Sequence, residues 1–211
     1  MFSKYRYEID FIKQRDPAAR SDIEIFLLYK GFRALRYYRR AHKLHEKGKF
    51  FRARMISERA KFKTGIEIHP GAEIGRGFFI DHGTGVVIGE TTQIGDNCVI
   101  YQGVTLGGTG KDTGKRHPTL GDNVMVGAGA KVLGPVKIGN NVKIAAGAVV
   151  LTDIPDNCTA VGVPARIARI GGKPVGELDQ VHIPDPVAQE LCRLEARIQK
   201  LEKQLEETKN K

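Results

Sequence analysis

Aliphatic residues return at every sixth position through the middle of this 211-residue chain. Ile68, Ile74, Ile80 and Val86 form one run; after a two-residue change of frame, Ile88, Ile94, Ile100 and Leu106 form a second. Leu120, Val126, Val132, Ile138, Ile144 and Val150 complete the series. The residue after the aliphatic is often glycine, as at Gly75, Gly89, Gly95, Gly121, Gly127 and Gly139. The fourth after it is small or β-branched, as at Ala72, Thr84, Cys98, Val124, Ala130, Val136, Val142 and Ala148. Neither the helical period of 3.6 nor strand alternation yields a sixfold repeat, whereas a hexapeptide β-helix does. Each hexad supplies one short strand and one corner, and three hexads close a triangular coil. Strands of successive coils stack about 4.8 Å apart. The aliphatic fills the prism, the small residue fits beside it, and glycine eases the corner.

The flanks follow other rules. Residues 1–64 read as helical: Ser21 with Glu24 forms a Ser-x-x-Glu capping box that opens an apolar and basic run from Ile25. Gly31 interrupts that run, Gly48 breaks it, and a second amphipathic run from Phe50 to Phe62 stops near Gly65. Residues 166–211 begin as an irregular tail with Pro174, Pro184 and Pro186. They then become a heptad, with Val187, Leu191, Leu194, Ile198, Leu201 and Leu205 forming an a/d seam. A helix packed on its own domain would share this pattern, but self-association is favoured, since a three-faced prism suits three parallel helices. The expected architecture is mainly β: a parallel β-helix over 65–165 interrupted by a loop at 107–119, an N-terminal α-helical segment over 1–64, and a tail with a coiled-coil-like helix over 166–211.

The net charge of +10 is concentrated at the front, where residues 1–64 hold 18 Lys/Arg against 7 Asp/Glu. Such a segment could meet nucleic acid, anionic lipid or an anionic cofactor, or be a solvated helix face. No zinc-finger spacing or RNP-like motif accompanies it, so no nucleic-acid partner is expected. The chain has no bilayer-length apolar run, and its N-terminus lacks the apolar stretch of a signal peptide, so no membrane association is expected. Cys98, Cys158 and Cys192 are odd in number, widely spaced and without a CxxC, which fits buried thiols in a reducing, cytoplasmic setting.

Residues that break the repeat carry the chemical information. Asp81 and His82 follow Ile80, with Glu67 and His69 one face-cycle earlier. A carboxylate on one imidazole nitrogen fixes the tautomer and leaves the other nitrogen as a base. A second departure is GGTGKDTGKRHPT, residues 107–119, where 14 positions separate Leu106 from Leu120. Long loops on rigid scaffolds concentrate function. This one lacks GxxxxGK[ST], so it is not a phosphate loop. It ends in Arg116-His117-Pro118, a forked cation suited to a carboxylate followed by an imidazole. Ala128 and Ala146 are 18 apart, one coil apart on one face, where small residues leave a shallow groove beside backbone amides. Each feature also has a plain structural reading: a solvent-facing corner histidine, a charged surface loop, and ordinary repeat consensus.

Taken together, EIHPGAEIGRGFFIDHGTGVVIGE, GVTLGGTG, KRHP, VGAGAKVLG and GVPARI closely resemble the serine O-acetyltransferase family, from about Asp16 to Arg166. The resemblance implies left-handed winding of the β-helix, a trimeric unit, acetyl-CoA as donor, L-serine as acceptor and no metal. It implies His82 as general base, with Glu67 in the place of its paired acid, where many members have Asp. Asp16 and Asp81 would hold the serine ammonium, Arg116 its carboxylate, and His117 would lie beside the reacting centre. Gly108, Ala128, Lys143, Ala146 and Arg166 would line the CoA channel, and a basic composition suits the CoA phosphates. The helical segment is shorter than in members that pair two trimers into a hexamer, so trimer and hexamer both stay open. Members that dock into cysteine synthase generally end in Ile, whereas this sequence ends KNK, which argues against that complex.

Three other readings compete. One is a hexapeptide O-acetyltransferase acting on a sugar or antibiotic hydroxyl. Another is a zinc carbonic anhydrase on the same fold, needing three histidines such as His69, His82 and His117 around a metal. The third is a non-catalytic oligomerisation module built on the heptad tail.

Overall fold

The computed structural model describes residues 3–110 and 113–171 and, near the C-terminus, Leu194, Arg197, Ile198, Lys200, Leu201 and Gln204. A 3₁₀ turn at Ser3–Tyr5 leads into α1 (Arg6–Arg15), α2 (Asp22–Leu28), α3 (Lys30–His45) and α4 (Phe50–Thr64). Ser21 caps α2, its Oγ accepting the Glu24 N–H at 3.2 Å, while the Glu24 carboxylate reaches back to the Arg20 N–H. The interruption expected at Gly31 falls instead at Tyr29, whose extended backbone separates α2 from α3. That break turns the Tyr29 hydroxyl onto Asp16 at 2.6 Å, and leaves Gly31 inside the first turn of α3. Gly65, in the left-handed conformation, ends α4.

Three parallel sheets form the sides of the prism. The first contains β1 (Glu67–Ile68), β4 (Val87–Ile88), β7 (Thr105–Gly107), β10 (Lys131–Leu133) and β13 (Val149–Val150). The second contains β2 (Glu73–Ile74), β5 (Gln93–Ile94), β8 (Thr119–Leu120) and β11 (Lys137–Ile138). The third contains β3 (Phe79–Ile80), β6 (Val99–Ile100), β9 (Met125–Val126), β12 (Lys143–Ile144), β14 (Cys158–Val161) and β15 (Arg166–Ile170), of which only β15 is antiparallel to its neighbour. The predicted aliphatics stack in columns: Ile68 pairs with Ile88, Ile88 with Leu106, Leu106 with Val132 and Val132 with Val150, all buried. Burying each such side chain stabilises the fold by about 1.5–3 kcal/mol.

The pairing corrects one detail of the repeat. Glu67 lies opposite Val87, an interval of 20 residues, whereas Val87 lies opposite Thr105, an interval of 18. The two extra residues therefore sit between Ile80 and Ile88, inside the corner that holds Asp81 and His82, and not after Val86. Val86 is fully buried in the small-residue position ahead of Ile88, and Thr84 is an exposed corner residue. The enlarged corner is passed by left-handed backbone at His82, Gly83 and Gly85. The corner between the second and third sheets is closed differently. Asp96 accepts the Arg76 N–H, Asp122 that of Asp96, Asn140 that of Asp122 and Asp156 that of Asn140, a ladder of side-chain caps running down the edge.

Helices complete the molecule. The strands of the first coil, β1, β2 and β3, end their sheets, so carbonyls on their outer edge have no strand to accept from. Residues of α3 and α4 fill them: Tyr38 bonds Ala72, Arg39 bonds Ile74 and Gly75, His42 bonds Pro70, and Ser57 bonds Ile68. Ile9, Phe11, Ile12, Ile25, Phe26 and Phe32 cover the outer face of the third sheet, over Phe79, Val99 and Met125. The basic excess thus lies largely on α3 and α4 at the first coil, while Lys143, Ala146 and Arg166 belong to the last coils.

Cys98 and Cys158 are buried free thiols. Leu194, Ile198 and Leu201 of the heptad are helical and about half exposed; Val187, Leu191, Leu205 and Cys192 lie outside the described residues. No helix among the described residues is long and apolar enough to cross a membrane.

Candidate active site

The enlarged corner between β3 and β4 presents His82 to solvent, with its Nε2 4.0 Å from Asp81 Oδ1. Asp81 is half-buried, and burial pushes its carboxyl above the usual range; nearby Asp16 pushes the same way and His82 opposes. Asp16 is fixed just after α1, its Oδ1 accepting the Ala18 N–H at 2.8 Å and its Oδ2 the Tyr29 hydroxyl. Burial and the Asp16 carboxylate both raise the Tyr29 pKa, so Tyr29 stays a hydroxyl donor. Asp16, Asp81 and His82 therefore form one acidic group around an imidazole. Tyr29 belongs to it, and no sequence pattern marked that residue.

Glu67 lies elsewhere. Its carboxylate is engaged by Lys61 at 2.5 Å and by Arg54 at 3.6 Å, both on α4. Within this chain it is not seated against His82.

Arg116 and His117 form a second group on the next edge of the prism, where the 107–119 loop returns between β7 and β8. His117 is buried, and Thr91 anchors it: the Thr91 N–H donates to His117 Nδ1 at 3.2 Å, and Thr91 Oγ1 lies 2.9 Å from the same nitrogen. Arg116 reaches Glu90 at 3.5 Å. Lys115 Nζ donates to the carbonyls of Thr91 and Pro118. Burial and the neighbouring Arg116 cation hold His117 below the usual imidazole range. Burial does the same to His69, which shares this edge and stacks edge-on to His45 at 6.1 Å. Gly108 is needed at the loop's start, since a Cβ there would lie 3.0 Å from His117 Nε2 and 3.1 Å from Arg116. Glu90 and Thr91 were invisible in the sequence because the inserted loop places His117 26 positions after Thr91.

Ala128 and Ala146 stand on the edge that carries His82. The chain of corner bonds runs from Gly103 N–H to Thr84, from Gly129 to Gln102 and from Gly147 to Ala128. Ala146 is exposed and Ala128 half-buried, and the coils approach so closely that a Cβ at Gly127 would lie 2.5 Å from the Ala146 nitrogen. Lys143 opens β12 and Arg166 opens β15, both on the third sheet beside this edge. An exposed imidazole beside two carboxylates thus stands on the edge lined by the small residues Ala128 and Ala146, and an arginine–histidine pair stands on the adjacent edge. Among the described residues no group of three or more His, Cys, Asp or Glu could hold a metal.

This prism of stacked hexads is the fold of a hexapeptide-repeat transferase. The family model described as bacterial transferase hexapeptide (six repeats) matches residues 117–152. The serine acetyltransferase of Synechococcus elongatus is 53% identical over 206 residues, 98% of this chain and 84% of the relative. That of Bacillus subtilis is 51% identical over 211 residues, 100% of this chain and 97% of the relative. The crystal structure of Neisseria gonorrhoeae serine acetyltransferase in complex with serine superposes with a TM-score of 0.76 at 43% identity, over 78% of this chain and 67% of that one. The chain belongs to the serine acetyltransferase family. These relatives and the parallel pairing also support left-handed winding.

Proposed function

We propose that this chain transfers acetyl from acetyl-CoA to the hydroxyl of L-serine, giving O-acetyl-L-serine and CoA for cysteine biosynthesis. The observation that carries the reading, beyond family membership, is the division of charge between two edges. Asp16 and Asp81 offer carboxylates to an ammonium, Arg116 offers a guanidinium to a carboxylate, and serine carries both groups. His82 takes the hydroxyl proton as the serine oxygen attacks the thioester carbonyl. The tetrahedral intermediate collapses, and CoA leaves as the thiol with the proton His82 held. Direct transfer in a ternary complex needs no nucleophilic cysteine, and the two described thiols are buried. Gly108, Ala128, Lys143, Ala146 and Arg166 line the course proposed for CoA.

The two edges belong to different corners of one prism, so a complete site unites His82 of one copy with Arg116 and His117 of another. This supports a homotrimer, with three such junctions. The exposed apolar residues Leu194, Ile198 and Leu201 fit a seam between copies. Glu67 remains a candidate partner for His82, and would have to leave Lys61 and Arg54 to serve it. Family membership favours serine acetylation over the zinc carbonic anhydrase reading.

The deciding experiment follows thiol release from acetyl-CoA with and without L-serine. Release that depends on serine supports the reading. Release driven equally by sugar or antibiotic alcohols, and not by serine, overturns it.

A further inference from the structure

The two ring nitrogens of His117 are not equivalent. Nδ1 receives the Thr91 N–H at 3.2 Å, and because a backbone amide can only donate, Nδ1 presents its lone pair. Thr91 Oγ1 accepts the Arg116 N–H at 3.1 Å and the His117 N–H at 3.2 Å. Both of its lone pairs are then used, and its own hydrogen goes to Nδ1, 2.9 Å away. The single lone pair of Nδ1 is shared by these two donors, so the proton of the neutral ring resides on Nε2.

The ring packs against the backbone of Gly89, where a Cβ would come within 1.9 Å of Cδ2 and 2.1 Å of Nε2. Turned over, it would offer the Cδ2 carbon to the Thr91 donors and lose both bonds. Among the described residues Nε2 makes no hydrogen bond, and it is not among the buried side-chain atoms left without a partner, so it is reachable beside Gly108. Arg116 and Lys115 disfavour a second proton on the ring, while Glu90 opposes them.

We propose that Thr91 is a positioning residue that locks His117 as its Nε2–H tautomer, making this imidazole a fixed hydrogen-bond donor to an anionic oxygen and not a base. The proposal rests on the serine-acetylating reading of the site and divides the labour of the two histidines: His82 accepts the proton and His117 donates a hydrogen bond. The anionic oxygen is either that of the tetrahedral intermediate or that of the serine carboxylate. The first predicts a loss in kcat, and the second a rise in KM for serine.

The test uses the full chain labelled with ¹⁵N-histidine, His117→Gln serving to assign the resonance, alongside steady-state kinetics. The wild type should show a lone-pair-bearing Nδ1 and a protonated Nε2 at His117. Thr91→Ser should keep that signature and remain within about threefold of wild-type kcat/KM. Thr91→Val keeps the backbone donor to Nδ1 but loses Oγ1, so its Nδ1 should stay unprotonated with a weakened bond, read as a shifted Nδ1 resonance, and kcat/KM should fall at least about tenfold, less than the 10²–10³ seen for outright removal of an oxyanion donor. A wild-type ring protonated at Nδ1 overturns the proposal, as does a Thr91→Val protein with the wild-type Nδ1 resonance and kcat/KM. Should Thr91→Val fail to fold, a Thr91→Ser protein that has lost the signature overturns it equally. The tautomer is read without substrate, so absence of serine acetylation would refute the functional reading while leaving this measurement interpretable.

Discussion

A Cβ placed on Gly31 would lie 2.0 Å from the carbonyl oxygen of Ile80. The first turn of α3 is therefore pressed against the strand that delivers Asp81 and His82, with no room for a side chain between them. Alanine normally favours a helix over glycine by about 1 kcal/mol. Here the obstructing atom is backbone and cannot swing aside, so the clash wins. Gly31→Ala should destabilise the protein by about 1–3 kcal/mol, the usual cost of overpacking, visible as a lowered midpoint in denaturant. Activity should fall with it, because β3 must shift; a variant as stable as wild type would contradict the contact.

His82 sits at φ 56, where asparagine is tolerated far better than alanine. His82→Asn removes the base while respecting the backbone. Its kcat should fall by about 10²–10⁴ with an unchanged thermal midpoint, and His82→Ala should lose as much activity and some stability besides. Near-normal turnover in the asparagine variant would remove His82 from the role of base.

Arg116 extends its guanidinium to Glu90 at 3.5 Å, a loose pairing that a bidentate substrate carboxylate can displace. Arg116→Ala should raise the serine KM by at least about tenfold, in line with the loss of one charged hydrogen-bonding partner. Lysine should restore little, since it lacks the fork. Titration of initial rates against serine at saturating acetyl-CoA gives the answer, and an unchanged serine KM would count against the contact.

Asp81 has a folded-state pKa raised by burial. The folded protein therefore holds this proton more tightly than the unfolded chain, whose aspartates titrate near about 3.9. Its contribution to stability is fully present below that value and is lost as pH rises through the folded pKa. Asp81→Asn should then melt higher than wild type at neutral pH, the gap closing as pH falls toward about 4, while its serine KM rises. Melting curves across that range, with kinetics at neutral pH, test both halves. A variant that melts lower at neutral pH would mean Asp81 is held by a favourable partner.

The sequence displayed the prism because the sixfold return of Ile, Leu and Val is imposed by every coil alike. It displayed His82, Arg116 and His117 because each departs from that repeat. The corner insertion was misplaced by a few residues, since Val86 fits either frame as an aliphatic and only the pairing of Glu67 with Val87 decides. Tyr29 and Thr91 left no trace, because their partners Asp16 and His117 are brought near by a helix break and by a loop of irregular length. Glu67 shows the opposite failing: its place in the motif is clear, yet its carboxylate is claimed by Lys61 and Arg54 from a helix whose packing no local pattern specifies.

The plugging of the first coil by Tyr38, Arg39, His42 and Ser57 also governs how copies can meet. A bare stack of strands ends in a template on which another stack could continue without limit, the route to fibres. With that terminus sealed, end-on growth from it is denied and contact between copies is turned to the flanks. Those flanks carry the acid-ringed imidazole on one side and the guanidinium on another, so the seal on the first coil leaves open the faces from which the proposed shared site would be built.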